Sequence, residues 1–134
     1  MKTKRTTIVF LLLALFFAKT GLAQTTEIDS LKIELQNHKE KDTTKVNLLN
    51  ALAFSHFSRD MPKTLEYLNE ADALSEVIEF KKGKARSIYI RGITEAVQSN
   101  FDRALDYYDE ALNLYENMDL KKGIASCYNA IGIA

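Results

Sequence analysis

The sequence repeats itself at an interval of 40 residues. Lys-Lys-Gly stands at 81–83 and again at 121–123. Shifted by 40, TLEYLNEADALSEVIEFKKG (64–83) lies over ALDYYDEALNLYENMDLKKG (104–123). Leu65/Leu105, Tyr67/Tyr107, Glu70/Glu110, Ala71/Ala111, Leu74/Leu114 and Glu76/Glu116 are identical, and Gly92/Gly132 and Ile93/Ile133 continue the register. Such a period means that one supersecondary unit is copied, each copy burying its apolar face against the next. The chain divides on this basis into a lead-in (24–43), repeat 1 (44–83), repeat 2 (84–123) and the first helix of an incomplete repeat 3 (124–134).

Each repeat reads as two helices. Ala85, Ile88, Tyr89, Gly92, Ile93, Ala96 and Val97 recur with helical period, and so do Phe101, Ala104, Leu105, Tyr108, Ala111, Leu112 and Tyr115. Gln98-Ser99-Asn100 interrupts the pattern, and Asn100 is placed to cap the second helix. Asp60 holds the same position in repeat 1, with Pro62 in the first turn, where a missing N–H is harmless. In the lead-in, Ile28, Leu31 and Leu35 predict a short amphipathic helix, and Asp42 or Thr43 can cap the next one. Strand signals are weak. The expectation is an all-α helix-turn-helix solenoid. Gly92, Ala104 and Ala111 let helices approach closely, while Phe101, Tyr108 and Tyr115 fill the space between repeats. Arg91 and Glu95 are spaced to pair across one turn. Lys81 and Lys82 are expected near a helix C-terminus, unless Gly83 opens the next helix; KKGKAR (81–86) can also touch an acidic partner.

Gly92, Phe101, Ala104, Tyr108 and Ala111 carry a resemblance to the tetratricopeptide repeat. There, Gly stands in the first helix, and an aromatic opens the second ahead of Ala, aromatic and Ala. The 40-residue period resembles its longer variant. Repeat 1 departs from the pattern at Thr64 and Leu52, and repeat 2 at Arg91 and Glu95. The resemblance implies a groove lined by first-helix residues that takes up a protein or peptide ligand. In that register the groove positions are Leu49, Ala53, Arg86, Tyr89, Ile93 and Asn129. Arg86 and Tyr89 are the natural anchors, although a Tyr packed between repeats and a solvated Arg explain them equally well. The lead-in with DTTKVNLLN, following an export signal, is similar to the exported sensory region of bacterial membrane regulators. That resemblance implies, as the alternative role, the input half of a histidine kinase or transcriptional regulator.

Residues 1–23 read as an export signal. Lys2, Lys4 and Arg5 precede an apolar run of 11 residues (8–18), and Gly21-Leu22-Ala23 before Gln24 offers small residues for cleavage. The run is short for a membrane span of about 20 residues, which leaves an uncleaved anchor as the alternative to cleavage at Ala23/Gln24. The expected location is extracytoplasmic, periplasmic in a two-membrane cell. Four of the 18 basic and none of the 18 acidic side chains fall in this segment, leaving 14 against 18, a net −4. That charge disfavours nucleic acid as a partner. A membrane association would run through an uncleaved signal or a downstream span.

No residue set points to catalysis, a metal or a cofactor. Cys127 is the only cysteine, so no internal disulfide exists, and it reads as a small core residue. His38 and His56 fit no ligand spacing, and His56 reads as structural. Asp106, Asp109 and Glu110 read as a solvated helix face. The last helix has an apolar side and no cap, which points to a fragment of a longer chain. A short protein docking that helix on a partner is the alternative.

Overall fold

The computed structural model describes residues 26–133; the export segment and the Ala23/Gln24 junction lie outside the described residues. Residues 26–37 form α1. Then follow α2 (Thr43–His56), α3 (Met61–Val77), α4 (Lys81–Val97), α5 (Phe101–Asn117) and α6 (Lys121–Ile133). The described residues are all-α, their helices packed in sequential antiparallel pairs, consistent with a helical repeat.

The 40-residue period has a local origin. Helices α3, α4 and α5 each span 17 residues, and they are joined by the three-residue linkers 78–80, 98–100 and 118–120. In each linker the middle residue is left-handed: Glu79 (φ 54°), Ser99 (φ 62°) and Asp119 (φ 51°). The Phe80 N–H donates to Ser75 O (2.8 Å), Asn100 N–H to Glu95 O (2.9 Å) and Leu120 N–H to Tyr115 O (3.0 Å). The N–H groups of Glu79, Ser99 and Asp119 close the inner bonds, to Glu76 O, Ala96 O and Glu116 O. These are Schellman ends, which satisfy the last carbonyls and reverse the chain at once.

That economy shifts several expectations. The units begin at Lys81 and Lys121, three residues ahead of 84 and 124. Lys81 and Lys82 therefore occupy the first turn of α4, not the end of α3. Asn100 makes no side-chain cap. Its backbone is tied to Glu95, and its amide donates to the Glu95 carboxylate (2.9 Å). Arg91 turns away from Glu95 to reach α3, donating to Asp72 Oδ2 (2.6 Å) and Asn69 Oδ1 (2.9 Å). By contrast, Asp42 and Asp60 do cap, each accepting a backbone N–H at 3.0 Å, from Lys45 and Lys63.

Two clusters make the core, and α4 serves both. Ile90 joins Val46, Leu49, Leu52 and Leu68 of the first hairpin, which Ile28, Leu31 and Leu35 of α1 help to cover. Ala85 and Ile88 join Ala111, Tyr115 and Cys127 of the next. Between α2 and α4 the seam is polar and fully buried. Asn50 Nδ2 donates to Gly83 O (3.0 Å), and Ser87 Oγ donates to Asn50 Oδ1 (2.8 Å). The backbones of α2 and α4, and of α4 and α6, approach closely, but those of α3 and α5 do not. The inner row is therefore tighter than the outer, and the stack bends with α2, α4 and α6 on its concave side.

Ala104 and Ala111 are fully buried, Tyr108 nearly so, and Phe101 stays 48% exposed. Tyr108 packs within its own hairpin, against Tyr89 (centroids 5.7 Å apart) and over Gly92, where a Cβ would sit 2.5 Å from the ring. Tyr115 is the ring between repeats, lying against Gly123. Leu52 and Leu68, buried together in repeat 1, stand 40 residues before Gly92 and Tyr108. One hairpin fills the space with two mid-sized side chains, the other with a small and a large one.

Two predictions follow from this geometry. Gly92→Leu should cost about 3 kcal/mol by overpacking and Tyr108→Leu about 2 by leaving a cavity. The double variant should fall short of their sum by at least about 1 kcal/mol in urea unfolding; strict additivity would refute the volume exchange. Separately, Glu79→Gly and Asp119→Gly should each stabilise by about 0.5–1 kcal/mol, because glycine relieves the left-handed strain. A lowered melting temperature for both would contradict these turn geometries.

Candidate functional site

The concave side carries two clefts that meet at Tyr89. The first, about 470 Å³, runs between the N-terminal ends of α4 and α6 and is lined by Asn47, Lys82, Arg86, Tyr89, Tyr115, Lys121, Lys122 and Ser126, with the 119–120 linker at its edge. The second, about 270 Å³, continues along the same helices and is lined by Tyr89, Ile93, Ala96, Phe101, Tyr108, Asn129, Ala130 and Ile133. Lys82, Arg86, Tyr89, Ile93 and Ala96 are spaced i, i+4, i+7, i+11, i+14. The two clefts are thus one face of α4 read along its axis.

Four of the groove residues implied by the sequence resemblance line these clefts: Arg86, Tyr89, Ile93 and Asn129. Leu49 does not, and neither does Ala53. Both are 0% exposed in the first core cluster. The reason is the lead-in, since α1 packs its apolar side onto repeat 1 and α2 is enclosed where α4 is open. Lys82, Lys121, Lys122 and Tyr115 also line the site; of these the sequence offers only Lys82, within KKGKAR, as a contact for an acidic partner, and it places Tyr115 between repeats. The signal for Lys121 and Lys122 was the second Lys-Lys-Gly, 40 residues after the first.

Arg86 is exposed, and its guanidinium carbon lies 5.9 Å from the centre of the Phe54 ring, within cation–π range. Burial pushes the Tyr89 hydroxyl above its ordinary pKa, and Arg86 pulls partly the other way. Tyr115 is pushed up to about 12, again chiefly by burial. At neutral pH both phenols keep their protons and serve as hydrogen-bond donors at the groove wall.

Elsewhere, His38, Glu40 and Asp42 bring three ligand-type atoms within 4.8 Å of one another, the one such cluster among the described residues. His38 Nε2 lies 2.8 Å from Asp42 Oδ1 and 3.7 Å from Glu40. Asp42 is at the same time the α2 cap, held below the usual carboxylate range by the Lys45 N–H and then by His38. The cluster therefore acts as a joint fastening the end of α1 to the start of α2. The only sequence sign was alternation, His-x-Glu-x-Asp. His56 Nδ1 sits 2.8 Å from Leu52 O, with its ring against Tyr67. Cys127 is fully buried, and burial raises its thiol to about 11. No described helix is long and apolar enough to cross a membrane.

No protein-family model, curated protein or solved structure matches the chain.

The buried acids fix an alkaline response. Folded Cys127 and Tyr115 keep their protons to about 11 and about 12, above the ordinary 9.0 and 10.0. Above pH 9 the unfolded chain therefore binds fewer protons than the native one, and stability must fall as pH rises. Their contribution should be complete below pH 9 and disappear between pH 9 and 12. Cys127→Ala should flatten the lower part of that slope in pH-dependent urea unfolding, and native Cys127 should resist thiol reagents at pH 8. Rapid labelling without unfolding would show the burial to be wrong.

Proposed function

We propose that the chain is an exported, non-catalytic scaffold of the tetratricopeptide-repeat kind, holding an extended segment of a partner protein in its concave groove. The reading is supported above all by the joined clefts along α4 and α6, where Arg86, Tyr89, Ile93 and Asn129 face the same open channel. From Lys82 to Ala96 that channel follows 14 residues of helix, about 21 Å at 1.5 Å each. An extended peptide of about six residues covers the same distance at 3.3 Å each. The groove wall mixes apolar surface, phenol donors, cations and one acid, Asp119, which suits a peptide better than a compact apolar ligand. The hairpin repeat and the export-type leader both fit a scaffold that works outside the cytoplasm.

Random peptides displayed on phage and selected against the immobilised chain provide the test. Enriched peptides should lose at least tenfold in affinity for Arg86→Ala/Asn129→Ala, two exposed positions, and keep it for Asp106→Ala on the outer row. Selected peptides that bind the groove variant as tightly as the parent would place recognition elsewhere and end this reading.

A further inference from the structure

Charge is sorted by helix row. Helices α2, α4 and α6 together hold eight Lys and Arg residues and one acid, Glu95; α3 and α5 hold nine acids against Lys63 and Arg103. Part of this sorting ties the rows together. Lys45 pairs with Glu70 (3.0 Å), Lys84 with Glu76, and Arg91 with Asp72 (2.6 Å). Lys81, Lys82, Arg86, Lys121 and Lys122 remain, and none of them has an ion pair among the described residues; the last four line the first cleft, where Asp119 is the one acid, while Lys81 lines a different cleft.

Their position is unfavourable for folding. Lys82, Lys121 and Lys122 stand in the first turns of α4 and α6, at the positive ends of the helix dipoles, and neither first turn contains an acid. Stability alone would place carboxylates there. The repeat instead sets lysines there twice and brings Lys82, Lys121 and Lys122 to one groove. The body around them is net negative, so the cleft does not simply reflect overall charge. Next to it, past Tyr89, the second cleft is lined by no charged side chain.

Resting on the peptide-groove reading, we propose that the ligand is an internal acidic–apolar segment of about six residues. Its Asp and Glu side chains meet Lys82, Arg86, Lys121 and Lys122, while an apolar side chain three or four residues away enters the pocket of Ile93, Ala96, Tyr108 and Ala130. Four cations on two helices call for more than one carboxylate, which a chain terminus alone does not supply. The phenols of Tyr89 and Tyr115, neither of which has a hydrogen-bond partner among the described residues, are positioned to donate to the same carboxylates.

The test uses three fluorescent hexapeptides, blocked at both ends, in anisotropy titrations at low salt. One is Asp-Glu-Asp-Gly-Ser-Leu, one replaces its acids with Asn and Gln, and one replaces Leu with Ser. The first should bind at least tenfold more tightly than either control and weaken steeply as salt rises. Lys121→Glu/Lys122→Glu should abolish that preference while raising the melting temperature, since acids suit a helix N-terminus. Lost binding cannot then be ascribed to lost structure. If the acidic and amide peptides bind equally, and both fail with Arg86→Ala/Asn129→Ala, the groove reading stands and the acidic ligand is overturned. Acidic binding that survives the charge reversal would also overturn it. If no hexapeptide binds, the proposal falls, and the phage selection judges the groove reading separately.

Discussion

A three-residue reversal through one left-handed residue fixes where every later helix begins. Because the turns at Glu79, Ser99 and Asp119 are alike, α4, α5 and α6 start at 81, 101 and 121. Equivalent side chains then recur at equal heights in successive units. A one-residue insertion in the 98–100 linker would leave α4 intact but break the turn bonds of Ser99 and Asn100 that fix the start of α5. Tyr108 would leave Gly92, and Tyr115 would leave Ala85 and Ile88. The rest of the packing is downstream of a turn that lacks the glycine usually found there, so strain is accepted in return for exact spacing. Phe80 and Leu120 help to hold the turns, since each follows the left-handed residue and packs back on a core cluster.

The second constraint is volume. α4 must pack on α2, α3, α5 and α6 at once, and a helix with neighbours on so many sides admits only small residues where backbones approach. Gly83, Gly92, Ala85 and Ser87 meet that need on different faces, and all four are buried. The polar pair Asn50–Ser87 is accommodated in a buried seam because Ser87 donates to Asn50 Oδ1 and Gly83 O accepts from Asn50 Nδ2. A larger apolar residue at either position would meet a backbone only one small side chain away.

How far the sequence carried depends on how local each cause is. The 40-residue period, the paired helices and the caps at Asp42 and Asp60 arise from nearby residues, and pattern alone revealed them. The start of α4 did not emerge, because Phe80 serves both as the end of one helix and the cap position of the next, and neither role has a polar signature. Arg91 was assigned a neighbour one turn away, whereas its partners lie on α3, about twenty residues back in the chain. Leu49 and Ala53 were placed in the groove by register, and register holds no information about α1 covering that end of the stack. In the same way Lys82 and Lys122 were visible as a repeated motif, but their convergence on one cleft depends on the sideways packing of α4 against α6.

Charge sorting also bears on which helices can pair. The ion pairs between rows are partly exposed and each adds little to stability. Their greater effect is on alternatives. If α3 packed on α5 in place of α4, nine acids would be brought together against only Lys63 and Arg103, and like charges so placed repel. In the structure the backbones of α3 and α5 stay apart; a cleft of about 620 Å³ lies between them, edged by Glu76, Glu79 and Asn117 and reached by Lys81 and Lys84. The inner row escapes the same repulsion by a different route, since α2 and α4 meet through Asn50, Gly83 and Ser87, all uncharged. The cations are left at the edges of that seam, where they either bridge outward to α3 or look into the groove. A single partition of charge therefore sets the pairing order, opens the outer row and leaves the concave face positive.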